Sequence, residues 1–347
     1  MIPMLESHQI SVAPMMGHTD RHFRHLARIL APDLRLYTPM IHAESIVYGP
    51  RKFIIEENQN QQNVAIQLAG NNPSIMSAAA VRVSKLNYDE ININIGCPSP
   101  RVQNCKVGAA LMNDPELVSQ CVKTIMNRVD LPVSIKTRIG INHQDDYSFL
   151  YDFVAKTSQA GCDVFIIHAR KAFLNGLNPK QNRTVPPIDY EKVYRLKKDF
   201  QNLTIILNGE VNSIEQIEEH FLHVDGVMIG RKAYKDPLFL TKIQNHFFRQ
   251  TFDHGQQSSI QLECIKDMID YARRQIDQKD ISLHLIVRHM ATLLKGCRDA
   301  KEWRRLVGFS QRKLENQNKA LNQMLYFIEN YEKKTNHLLN NHKKSHF

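Results

Sequence analysis

The 347-residue chain is predicted to be an α/β protein: a closed (β/α)8 barrel over residues 1–245, a small helical bundle over 255–335 and a frayed basic tail over 336–347. Three observations carry this. Eight short apolar, β-branched runs recur through the first 240 residues, segments with helix-start signals separate them, and no strand-like run follows Ser258. Near-continuous apolar runs suit strands buried on both faces of a parallel sheet. Eight of them alternating with helices point to a closed barrel. An open doubly wound sheet is the alternative, but no GxGxxG follows the first run.

The runs, in order, are ISVAPM (10–15), LRLYTPM (34–40), NVAIQLAG (63–70), EININIG (90–96), PVSIKTR (132–138), VFIIHAR (164–170), LTIILNG (203–209) and GVMIGR (226–231). Helix starts are marked by Asn72-Pro73-Ser74, by Asn113-Asp114-Pro115-Glu116 and by Asn212-Ser213 with Glu215. Each places a capping side chain or a first-turn proline where unpaired amides need satisfying. Beyond Ser258 the segments LECIKDMIDYARRQI, LHLIVRHMATLLKG and KALNQMLYFIENY space their apolar residues helically, as a bundle requires. The last residues, KKTNHLLNNHKKSHF, are polar and basic and are expected to fray.

Composition narrows the function classes. With 42% hydrophobic and 23% charged residues the chain can bury a full core. The first residues lack the basic and apolar regions of a signal peptide, and no stretch approaches the ~18 apolar residues of a membrane span. Six cysteines are scattered without a CxxC pair, so no zinc or iron–sulfur cage is expected and a reducing, cytoplasmic setting is the natural reading. No metal is expected. The net charge of +10 is uneven: residues 1–240 carry 26 Lys/Arg against 24 Asp/Glu, residues 241–347 carry 19 against 11. A basic C-terminal part fits a polyanionic partner, or a solubilising helical face.

In such barrels the chemistry sits at the C-terminal strand ends. Here those ends carry Ala13-Pro14-Met15, Tyr37-Thr38, Gln67, Asn92, Asn94 and Cys97, Lys136 and Arg138, His168 and Arg170, Asn208-Gly209, and Gly230-Arg231. Asn208-Gly209-Glu210 and Gly230-Arg231 follow the seventh and eighth runs, the usual phosphate site of the fold, where glycines admit an anion to backbone amides. Gly-containing strand ends are also ordinary turns. Lys136 and His168 could hold the same ligand; an unpaired ammonium buried in a barrel mouth would be costly. Cys97, just past the fourth run, could be a nucleophile, a proton donor or a small packed residue. No base lies three or four residues away, which leaves room for a neutral thiol that gives up a proton.

These residues resemble a known family. APM (13–15), TDRHFR (19–24), AIQLAG (65–70), NINIGCPSPRVQN (92–104), IKTRIG (135–140), IIHAR (166–170), LNGE (207–210) and GVMIGR (226–231) are similar to the tRNA-dihydrouridine synthases. RKAFLNGLNPKQNRTVPPIDY (170–190) is similar to their A-type bacterial subfamily, which reduces uridines 20 and 20a of the D-loop. The likeness covers residues 10–310 and runs through every strand end.

The resemblance implies a (β/α)8 TIM barrel holding FMN. Pro14, Met15 and Met16 would underlie the isoalloxazine, and Gln67 and Lys136 would bond its polar edge. His168, Asn208, Gly209, Glu210, Gly230 and Arg231 would surround the ribityl phosphate. Reduced flavin would deliver hydride to uracil C6 and Cys97 a proton to C5; thiols ordinarily titrate near ~8.5 and so carry a proton at neutral pH. Pro98 would stiffen the loop. Asn94 would contact the flipped base. Lys180 and Arg183, with Arg298, Arg304, Arg305 and more loosely Arg288, would touch the tRNA, which is the implied partner; Trp303 reads as helix core. NADPH, with NADH possible, would supply electrons to a monomer. Two departures stand out: Met16-Gly17-His18 replace the Leu-Asp-Trp step usual in A-type members, and Cys105 replaces a glycine. Two other readings are an FMN barrel reductase of a small pyrimidine or enone, which would not need the basic C-terminal part, and a non-catalytic RNA-binding protein, which would not need Cys97.

Overall fold

The structure, a computed structural model, describes residues 9–49, 62–248, 257–279, 281–310 and 317–344. Among the described residues nine parallel-paired strands are present: β1 (Ile10–Val12), β2 (Arg35–Tyr37), β3 (Ile41–His42), β4 (Val64–Ala69), β5 (Glu90–Asn94), β6 (Val133–Arg138), β7 (Val164–His168), β8 (Thr204–Asn208) and β9 (Gly226–Ile229). Neighbours run β2-β1-β9-β8-β7-β6-β5-β4-β3, and a β2–β4 pairing closes eight of them into a ring. The closed (β/α)8 barrel is therefore observed, and its eight strands are the eight runs. β3 is an extra pair of residues on β4, too short to leave a periodic signal.

The predicted helix starts hold by the predicted bonds. Asn72 caps the helix Pro73–Val83 through Ile75 N (3.1 Å), Asp114 caps Pro115–Met126 through Leu117 N (3.0 Å), and Ser213 caps Ile214–Phe221 through Gln216 N (3.3 Å). Such a cap contributes ~1 kcal/mol.

Strand parity divides the barrel interior into two halves. Residues two apart share a face, so Ala65, Ile166, Ile206 and Met228 line the same interior as Gln67, His168, Asn208 and Gly230. With Ala13 and Tyr37 those four form an apolar cluster. On β5 and β6 the same face is polar throughout: Glu90, Asn92 and Asn94, then Ser134, Lys136 and Arg138.

By compactness the chain forms two units: residues to Arg21 with Asp33–Lys232, and His22–Pro32 with the residues from Ala233 onward. The sequence pattern alone assigns residues 1–245, and so residues 22–32, to the barrel. Within the second unit, His22 Nδ1 and Tyr271 Oη are 2.9 Å apart, His25 stacks on Tyr271 at 3.9 Å, and Phe23 packs on Tyr234 and His289. Trp303 is fully buried there and donates to Met290 O (2.9 Å), a core residue as expected. The last helix, Gln317–Lys344, carries the backbone of the basic terminal stretch as far as Lys344; residues 345–347 of the expected tail lie outside the described residues. No helix among the described residues is long and apolar enough to cross a membrane.

Candidate active site

Register brings the predicted residues to one level of the barrel. Gln67 aligns with Asn92, Asn94 with Lys136, Arg138 with His168, and His168 with Asn208. Lys136 Nζ donates to Asn208 Oδ1 (2.9 Å), while Asn208 Nδ2 donates to Met228 O (2.8 Å) and so keeps its oxygen toward the ammonium. Burial pushes Lys136 down to about 7; the Arg138 charge adds to the shift and Cys97 opposes it. An anion bound beside it would restore the charged form.

His168 is pushed well below the usual histidine range by burial first, then by Arg138, Lys136, Arg170 and Arg231. It is therefore a neutral ring, and among the described residues its buried Nδ1 has no partner. Beside it the chain turns through Gly209 (φ 137°) and Glu210 (φ 52°). Glu210 pairs with Arg170 (2.7 Å) and Arg231 (3.6 Å), so its carboxylate aims two guanidinium groups. Among the described residues an added Cβ at Gly230 would find only Asn208 Nδ2, at 4.0 Å. The neighbouring protein does not require glycine there, and the room it leaves suits a ligand. A neutral ring with an unpartnered nitrogen, two aimed cations and an open glycine turn fit an anionic phosphate. The amides of Gln67 and Asn94 fit the polar edge of a ring. The donor set thus suits a phosphate-bearing flavin.

Cys97 follows β5 on a loop held from several sides. Its amide N donates to Asn94 Oδ1 (3.0 Å), its Sγ approaches Ser99 Oγ (3.6 Å), and its carbonyl accepts from Ala109 N (3.0 Å). A side chain at Gly108 (φ 70°) would come within 2.6 Å of that carbonyl, so glycine is required there. Arg138, for which the sequence predicts no role, donates to Gly96 O (2.8 Å), Lys171 O (3.1 Å) and Asn182 O (3.2 Å). Gln103 Nε2 joins Pro98 O (2.6 Å) to Leu174 O (2.7 Å). These two side chains tie the cysteine loop to the 170–190 loop. The inward parity of Ser134, Lys136 and Arg138 could have flagged Arg138 from sequence; nothing local flags Gln103.

Pro14 and Met15 are half-buried at the end of β1, and Met16 is exposed. Met15 O accepts from both His18 N and Thr19 N (3.0 Å each), a tight turn that Gly17 (φ 73°) permits. Lys180 and Arg183 are exposed on the 170–190 loop, where Arg183 O accepts from Arg231 Nη2 (3.3 Å). Burial and the Arg231 charge lower the Arg183 pKa, and Cys97 opposes them. Arg298, Arg304 and Arg305 are exposed in the second unit, and Arg288 is half-buried there.

Residues 11–330 match the family model described as Dihydrouridine synthase (Dus). Curated relatives named tRNA-dihydrouridine(20/20a) synthase include one from Vibrio vulnificus (strain CMCP6), 45% identical over 88% of this chain and 92% of its own length. One from Synechocystis sp. is 44% identical over 87% and 89%, and one from Escherichia coli (strain K12) is 42% identical over 87% and 86%.

Proposed function

The chain belongs to the dihydrouridine synthase family, and on that premise we propose that it reduces the C5–C6 double bond of uridines 20 and 20a in the tRNA D-loop, with FMN in the barrel mouth and NADPH as electron source. One observation carries the reading. A cysteine held by Asn94 stands at the same strand ends as the Lys136 ammonium and a glycine-lined cationic site built on His168, Gly209, Gly230, Arg170 and Arg231.

A base stacked in a folded tRNA cannot reach a barrel mouth, so the target uridine is flipped into it. When bound, the reduced flavin supplies a hydride to uracil C6. Cys97 gives its proton to C5. Asn94 uses Oδ1 for the cysteine loop and one Nδ2 hydrogen for Gln67, which leaves the second hydrogen for a uracil carbonyl. Gln67 and Lys136 hold the polar edge of the flavin, while His168, Arg170 and Arg231 hold its phosphate. Pro14, Met15 and Met16 form the ledge beneath the ring. Lys180, Arg183 and the exposed arginines of the second unit contact the RNA.

Nucleoside mass spectrometry of tRNA from a strain lacking the gene tests this. Dihydrouridine at positions 20 and 20a should vanish, return with the wild-type gene and stay absent with Cys97→Ala. Purified Cys97→Ala should retain flavin and tRNA while losing about 100-fold or more in turnover, the scale of a lost general acid. Unchanged dihydrouridine in the deletion strain, with no second synthase present, would turn attention to a small-molecule substrate.

A further inference from the structure

The polar half of the barrel interior forms a single hydrogen-bonded file. It runs from the ion pair of Glu90 with Arg35 to the loop of Cys97. Ser134 Oγ donates to Glu90 Oε1, and Asn92 Nδ2 donates to Ser134 Oγ (2.6 Å). Gln67 Nε2 donates to Asn92 Oδ1 (2.7 Å), and Asn94 Nδ2 donates to Gln67 Oε1 (2.9 Å). Finally the amides of Gly96 (3.2 Å) and Cys97 (3.0 Å) donate to Asn94 Oδ1. All five side chains are at most 9% exposed.

The direction of this file is forced from both ends. A carboxylate only accepts and a backbone N–H only donates. Glu90 also receives Arg35 and the Tyr37 hydroxyl. Burial, followed by the Glu90 charge, raises the Tyr37 pKa well above the ordinary tyrosine value, so that hydroxyl stays a donor. Each of the three amides between the ends, free to flip in isolation, is left with one orientation. Packing does not explain the arrangement, because a buried ion pair is often matched or bettered by apolar side chains of equal volume. A directed file does explain it, since satisfied polar networks specify one geometry.

We propose that Glu90 and Ser134 are positioning residues: through Asn92 and Gln67 they fix which way the Asn94 amide faces, and thereby hold the Cys97 loop and the amide hydrogen offered to the uracil. The last part rests on the reading of the site as a uridine reductase. The directed file itself rests on the hydrogen bonds alone. Neither Glu90 nor Ser134 touches the ligand site, and both act through residues that do.

The test compares Glu90→Gln, Ser134→Ala and Ser134→Thr by residue-resolved amide exchange in the flavin-free protein. The internal reference is Ile95, whose N–H bonds Lys136 O (2.8 Å) and not the file. Ser134→Ala breaks the file and leaves the ion pair intact, so it decides the matter even where Glu90→Gln does not fold. The expected result is exchange at Gly96 and Cys97 at least threefold faster in Ser134→Ala, with Ile95 unchanged. Ser134→Thr, which keeps the hydroxyl, should return most of the protection. Acceleration below threefold, equal acceleration at Ile95, or no recovery with threonine would overturn the proposal. Neither flavin nor tRNA takes part, so failure of the uridine-reductase reading shows separately, as wild-type protein without dihydrouridine synthesis. In an active wild type, Ser134→Ala should lower kcat by about tenfold while the KM for tRNA moves less than threefold.

Discussion

At Lys136 the cost of burying a charge becomes a measurable proton balance. The group titrates at about 7 in the folded protein against 10.5 for an ordinary lysine. Below pH 7 both states hold the proton and the folded state bears the whole penalty. Between 7 and 10.5 the unfolded chain holds a proton that the folded one has released, so Lys136 makes stability rise with pH across that window. Reduced flavin would bring negative charge to the polar edge assigned to Lys136 and reverse the shift, so that binding reduced FMN above pH 7 takes up a proton. The expected outcome is affinity for reduced FMN that falls from pH 7 to 9, by at most ~tenfold per pH unit. Lys136→Gln should flatten that dependence. Titration calorimetry in buffers of different ionisation enthalpy reads the proton directly; uptake that persists in Lys136→Gln would assign it to another group.

The element that carries Lys180 and Arg183 is a loop of residues 170–190 built around one buried side chain. Asn182 is fully buried, receives Phe173 N at Oδ1 (2.7 Å) and donates from Nδ2 to Phe173 O (2.9 Å) and Leu177 O (3.1 Å). The two cations therefore project from a braced platform. Lys180→Ala and Arg183→Ala should each weaken tRNA binding and reduce the slope of log K against log salt by about one phosphate's worth. Filter binding across a salt series checks both, and an unchanged slope would move that residue off the RNA backbone. The contrast between these cations and their brace shows what a sequence can disclose. Strand ends were legible because the fold assigns them to one mouth, so Gln67, Lys136, His168 and Asn208 could be named from their run alone. Asn182, Gln103 and the Glu90 file were not, because key partners lie far away along the chain, Leu174 71 residues from Gln103 and Ser134 44 from Glu90, and no periodicity encodes the pairing. The grouping of His22–Pro32 with the C-terminal helices was hidden for the same reason: its apolar spacing suits any buried helix, and only contact with Tyr271, Tyr234 and His289 decides which neighbours it has.

On the scale of the whole molecule, the charge asymmetry and the site chemistry make separable demands. The barrel carries the cysteine, the lysine and the proposed anion site within a nearly balanced sequence, while residues 241–347 hold 19 Lys/Arg against 11 Asp/Glu. If that surplus serves the RNA, its removal should leave the chemistry of the mouth intact and affect only how a polyanion reaches it. Arg298, Arg304 and Arg305 are the exposed cations to change, since Trp303 beside them is buried core. The triple substitution to glutamine should leave FMN affinity and the rate of flavin reduction by NADPH within twofold of wild type. It should raise the KM for tRNA at least tenfold and lower the salt slope by about two to three. Stopped-flow reduction and tRNA titration on the same preparations separate the two demands. A small-molecule reductase would show no change in either, whereas a fall in FMN affinity with the slope preserved would mean that these arginines serve the fold and not the RNA.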